Sequence, residues 1–143
     1  MQQLKYKKHD GGRNDSGFKG NAGDCVTRAI AISTKQGYRK TYEDLFSLYK
    51  EMTFGLSGSP RSGVPTPVYC KYLADKGWRV QITKGGYLKD IPSDGIYIAD
   101  LSERHLVTVI DGVVFDSWDS RKSNRTKCGS PKMNGFFYKE TEK

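Results

Sequence analysis

Two runs of β-branched residues separated by a single Asp-Gly pair constrain this chain more than any other feature. His105-Leu-Val-Thr-Val-Ile110 and Val113-Val-Phe-Asp116 flank Asp111-Gly112, and Asp-Gly between such runs favours a two-residue type I′ hairpin. With Asp111 and Gly112 as the turn, Ile110 faces Val113, and the register of the ribbon is fixed. His105 then faces Trp118 and Asp116 faces Val107, so residues 105, 107, 116 and 118 share one face. Asp116 becomes the diagonal neighbour of His105, with backbone positions roughly 7–8 Å apart and side chains able to close the gap. A turn one residue longer brings Asp119 opposite His105 instead, which makes Asp119 the reserve partner. A carboxylate at the end of the apolar run Val113-Val114-Phe115 costs stability unless it has a partner, and His105 is the partner expected.

Helical spacing precedes the hairpin. Val26, Ala29, Ile30 and Ser33 fall at i, i+3, i+4 and i+7 behind Cys25; this predicts a buried helix with Asp24 as its N-cap and Gly37 to end it. Leu45, Leu48, Tyr49 and Met52 repeat the spacing after Thr41, a capping residue, with Gly55 as the stop. Thr66-Pro67 opens a third helix that runs to Gly77, proline being suited to a first helical position. From Trp78 the period changes to two, in Trp78–Ile82 and again in Ile96–Ile98, and Gly135–Tyr138 offers a last short strand. Residues 1–23, with five glycines, read as an irregular arm, and 120–134 as a basic loop. No repeat or linker divides the 143 residues. The expectation is one domain over 1–143, of α+β class, with N-terminal helices packed on a C-terminal antiparallel sheet.

The thiol at the start of the first helix carries the chemistry. Unpaired N–H groups and the positive dipole end favour a thiolate there, and the same groups can stabilise an oxyanion. Cys70 falls inside the third helix and Cys128 in the basic loop, where neither has this advantage. The three cysteines form an odd set without CxxC spacing, so neither a disulfide framework nor a metal site is expected, and no cofactor is implied. A thiol nucleophile needs a base, usually histidine. Of the two histidines, His9 lies in the polar arm as a solvated side chain, which leaves His105, held at one nitrogen by Asp116 and open at the other for Cys25.

Gly23-Asp24-Cys25 at a helix start, a strand-opening His105 and a hairpin ending in Asp116-Ser117-Trp118 together resemble the papain-like cysteine peptidases. The resemblance covers these motifs and the order of elements. It implies a papain-like fold with the nucleophile opening the central helix, Cys25 as nucleophile, His105 as general base and acid, and Asp116 in the place of the family's orienting Asn, shielded by Ser117-Trp118. The size is similar to minimal bacterial domains that process leader peptides, or to small bacteriophage-encoded relatives. Where the family carries a Gln six residues before the cysteine this chain has Lys19, and the nearest amide is Asn21; both are candidate oxyanion donors. The implied reaction is acyl transfer at a peptide or isopeptide bond, with cleft loops at 11–23, 55–65 and 84–94.

A formal charge of +8 favours acidic partners in general. Lys5-Tyr6-Lys7-Lys8 and the span from Arg121 to Lys132 would hold nucleic acid without sequence preference if they cluster. The competing expectation is therefore a peptidase-like binding module for nucleic acid or an acidic protein, with a silent site. No apolar stretch approaches the roughly 18 residues that span a bilayer, and none follows the basic start of the chain. A cytoplasmic setting is expected, the host's if the chain is encoded by a bacteriophage, with a peptide or protein as substrate and no membrane partner.

Overall fold

The hairpin forms in the register its turn dictates. The computed structural model describes residues 4–12, 24–52, 64, 66–101, 105–117, 119–122 and 130–139. In it, β4 (His105–Ile110) pairs antiparallel with β5 (Val113–Asp116) through Ile110↔Val113, Val109↔Val114 and Thr108↔Phe115. Asp111 and Gly112 both have positive φ, 49° and 80°, as a type I′ turn requires. A β-branched side chain at the second position would be strained. Gly112→Val is expected to cost about 1–3 kcal/mol, seen as a lower urea midpoint at unchanged slope.

The remaining strands build outward from this ribbon. β3 (Ile96–Leu101) pairs antiparallel with β4, β6 (Lys132–Lys139) with β3, and β2 (Trp78–Tyr87) with β6. The sheet is not purely antiparallel, because β1 (Lys5–Lys8) lies parallel to β5 and gives the order β1-β5-β4-β3-β6-β2. The arm expected over 1–23 is thus a strand at 5–8. The backbone groups on the outer edge of β5 explain it. Lys5 N–H donates to the Gly112 carbonyl at 3.0 Å and His9 N–H to that of Asp116 at 2.8 Å. The lysines of the new outer strand face solvent and discourage further pairing.

Three helices among the described residues, α1 (Cys25–Thr34), α2 (Tyr38–Met52) and α3 (Thr66–Asp75), pack on one face of the sheet. α1 is buried from Val26 to Ser33, and the Thr108 hydroxyl ties it to β4 by donating to the Ala29 carbonyl at 2.6 Å. Val26, Ile30, Leu45, Leu73, Ile98 and Phe137 belong to the core on this side. Leu4, Leu88, Leu101, Val107, Val109 and Val114 belong to a second core on the opposite face. The chain is α+β, helices preceding most of the sheet. No helix among the described residues is long and apolar enough to cross a membrane.

Several boundaries differ from expectation. α1 ends at Lys35, which takes the left-handed conformation expected of Gly37. α2 starts at Tyr38 and not after Thr41, since Thr41 is fully buried and its hydroxyl donates to the Gly37 carbonyl. β2 continues through an irregularity to Tyr87, and Leu88–Asp90 forms a 3-10 turn anchored by buried Leu88. The span 84–94 is therefore largely ordered structure and not a cleft loop. Likewise the expected basic loop 120–134 contains a 3-10 turn at Ser120–Lys122 and the first residues of β6, because Met133 is drawn into the second core. Most of 11–23 and 55–65 lies outside the described residues.

Candidate active site

Cys25, His105 and Asp116 come together at the end of the hairpin away from its turn. His105 is the first residue of β4, Asp116 the last of β5 and Cys25 the first of α1. His105 Nε2–H donates to Asp116 Oδ2 at 2.6 Å, which leaves the other ring nitrogen for the hydrogen bond His105 makes with the Cys25 thiol. Burial pushes that thiol's pKa up. The hydrogen bond from His105, the Leu106 backbone N–H, and the charges of His105 and Arg28 outweigh burial and hold it below its usual value. Burial pulls the imidazole the other way, but hydrogen bonds to Asp116 and Cys25 and the charges of both raise its pKa to about 9. Thiolate and imidazolium thus stabilise each other, as in an activated cysteine.

A buried polar chain stands behind this pair. Asp116 is 3% exposed; besides His105, its other oxygen meets Arg28 Nη2 at 3.4 Å and accepts the Ser117 N–H at 2.7 Å. Arg28 also donates to Asp24, one helical turn back, and the Tyr38 hydroxyl donates to Asp24 Oδ2 at 2.5 Å. Asp24 therefore occupies the N-cap position without capping through its side chain. Its carboxylate neutralises Arg28 instead, and Arg28 in turn compensates Asp116 at the histidine. Each charge has an opposite neighbour, as burial demands.

No protein-family model, curated protein or solved structure matches this chain.

Of the other expected site residues, Asp119 is the one described, and it is not gathered here. Asp119, the reserve orienter, is held by Arg121 through contacts of 2.8 and 2.7 Å, because the two-residue turn fixes Asp116 in its place. Lys19, Asn21, Trp118 and Cys128 lie outside the described residues. His9 is exposed, and its Nδ1 accepts the Gly11 N–H. Cys70 is half-buried in α3, and burial, followed by the nearby Asp100 charge, raises its pKa. The described cysteines are free thiols, and no cluster of three His, Cys, Asp or Glu suited to a metal occurs among the described residues. Of the basic residues, Lys5, Lys7 and Lys8 are exposed on the outer strand, whereas Arg121 is spent on Asp119 and the Leu4 carbonyl.

Three further residues belong to the neighbourhood: Tyr38, Tyr69 and Asp100. Tyr38 opens α2 and reaches Asp24 across fourteen residues of chain, a contact no local sequence spacing signals. Tyr69 packs edge-on against Phe137 at 6.0 Å between ring centres. Burial raises its phenol, and the charges of Asp100, Cys70 and Cys25 add to the rise, while a hydrogen bond to Thr66 opposes it. The signal for Asp100 was in the alternation: residues 96, 98 and 100 share a strand face, and a carboxylate there interrupts an apolar row.

Proposed function

We propose that the protein is a cysteine hydrolase or related acyl transferase acting on a peptide or isopeptide bond. The single observation that carries this reading is the contact sequence Cys25–His105–Asp116, with the imidazole engaged on both sides. In the proposed reaction the Cys25 thiolate adds to the acyl carbon, and the N-terminal end of α1 supplies the positive field for the developing oxyanion. The His105 imidazolium gives its proton to the leaving amine as the C–N bond breaks, which leaves a thioester on Cys25 and a neutral imidazole. Neutral His105 then takes a proton from water, or from a second amine, as that nucleophile attacks the thioester. Cys25 departs as thiolate, and the pair is restored. Asp116 keeps the imidazole oriented and stabilises its charged form, with Arg28 holding the far side of the carboxylate.

A papain-like arrangement belongs to the same proposal. It is supported by the order of the parts: a nucleophile opening a buried helix, a histidine opening a strand, and an acid closing the next strand.

The test uses p-nitrophenyl acetate, which needs no knowledge of the natural acyl group. A burst of nitrophenolate is expected, with acetyl mass appearing on the peptide containing Cys25, and the burst is expected to vanish in Cys25→Ala. Acetylation confined to Cys70 or Cys128, or a burst that survives Cys25→Ala, would refute the hydrolase reading.

A further inference from the structure

Asp100 is a half-buried carboxylate without a basic partner among the described residues, in a chain rich in cations. The sequence holds 24 lysines and arginines. Among the described residues, the exposed Glu43, Glu51, Asp90, Asp94 and Asp111 have no ion pair but are open to water, whereas the more enclosed Asp24, Asp44, Asp116 and Asp119 have basic partners and the half-buried Asp100 has none. Burial raises its pKa, and among the described residues a hydrogen bond from Asn134 opposes that rise. Leaving a half-buried carboxylate in this state costs stability.

Its place in the sheet is next to the nucleophile. Ala99 and Leu101 point into the core opposite the helices, so Asp100 between them faces the helix side. Asp100 pairs with Leu106 on one flank, and the Leu106 N–H is the backbone group bonded to Cys25. On the other flank Asp100 pairs with Gly135, which pairs in turn with Ile82 of the outermost strand. Across one level of the sheet the row thus runs from beside the thiol, through a carboxylate and a residue without a side chain, to Ile82. Ile82 is 60% exposed and Val80 51%. A second link is Tyr69, whose phenol feels the charges of both Asp100 and Cys25.

We propose that Asp100 makes this site selective for acyl substrates carrying a lysine or arginine side chain beside the bond that Cys25 attacks. An ammonium or guanidinium group supplies the charge-assisted hydrogen bonds that a lone carboxylate lacks. Its aliphatic stem can lie along the exposed apolar side chains of the outer strand. A divalent metal is a poorer match, since one carboxylate and an amide leave most of its oxygen ligands unsupplied.

The inference rests on Cys25 as the nucleophile, and the experiment separates the two claims. Cys25 is modified with aminoethyl, sulfonatoethyl and methyl methanethiosulfonate, which differ in charge, and rates are read by mass spectrometry. In Asp100→Asn the ratio of the cationic to the anionic rate, each normalised to the methyl reagent, is expected to fall roughly tenfold, the order for one unit charge across a partly desolvated gap. An unchanged ratio overturns the role of Asp100. If the methyl reagent modifies Cys25 of the native chain no faster than Cys70, the nucleophile reading fails instead. A second measurement on the native chain guards against a variant that does not fold. Acetylated tripeptide amides containing arginine are expected to slow modification of Cys25 by the methyl reagent, and their citrulline counterparts are not. Equal protection by the two overturns the proposal.

Discussion

At about pH 6, iodoacetamide is expected to alkylate Cys25 faster than Cys70, because an ordinary thiol is well under 1% thiolate at that pH and only a lowered pKa raises the fraction. The expectation follows from direction alone: the pKa of Cys25 is lowered, and that of Cys70 is raised by burial and by Asp100. The rate for Cys25 should reach its plateau at a pH where that for Cys70 is still climbing. His105→Ala removes both the hydrogen bond and the positive charge that oppose burial, so the advantage of Cys25 at acid pH is lost. Similar rates for Cys25 and Cys70 in the native chain would show that no activated pair exists. The upper pH limit of the proposed reaction has a separate origin. Protonation of the leaving amine needs the imidazolium, so turnover is expected to decline as pH rises through about 9. The same raised pKa makes a contribution to stability that is complete below the unfolded value of 6.5 and fades as pH climbs through about 9.

Asp116→Ala should be among the most damaging single substitutions in the protein. It removes the acceptor of His105 and leaves Arg28, 6% exposed, with Asp24 as its remaining acidic partner. Truncating one member of a buried charge pair costs about 3–5 kcal/mol, a large share of the 5–15 kcal/mol that holds a typical domain together. Asp116→Asn keeps an oxygen for His105 but not the charge. It should lose less stability and bring the alkaline limit of catalysis down from about 9. Adding Arg28→Met to Asp116→Ala removes the poorly compensated cation and should recover part of the loss, a coupling that urea denaturation of the four chains measures. Loss of less than about 1 kcal/mol in Asp116→Ala would mean that the chain from Tyr38 to His105 contributes little to the fold.

The turn and the register were legible because Asp-Gly leaves little choice of backbone, and that register alone sets Asp116 diagonally beside His105. α1 was equally readable, its apolar spacing being uninterrupted except at Arg28. Arg28 is buried there, and the fold supplies Asp24 and Asp116 as its acids. β1 was hidden because Lys5, Lys7 and Lys8 carry no strand signal; what makes it a strand is the open edge of β5, a property of the assembled sheet. Thr41 and Gly37 misled in a similar way. Their local preferences suit helix ends, yet packing of Tyr38, 1% exposed, draws the start of α2 forward. The long β2 was missed past Ile82 because its partner residues, 132–135, sit in a stretch whose charge suggested a loop.

The sheet order bears on how the protein is made. β6 lies between β3 and β2, both of which leave the ribosome before it does. Until residue 139 has emerged, a nascent chain carries two unmatched strand edges, each a template for the wrong neighbour and a target for chaperones. Cys25 is translated more than a hundred residues earlier, so for most of synthesis the chain carries its thiol without a finished sheet behind it.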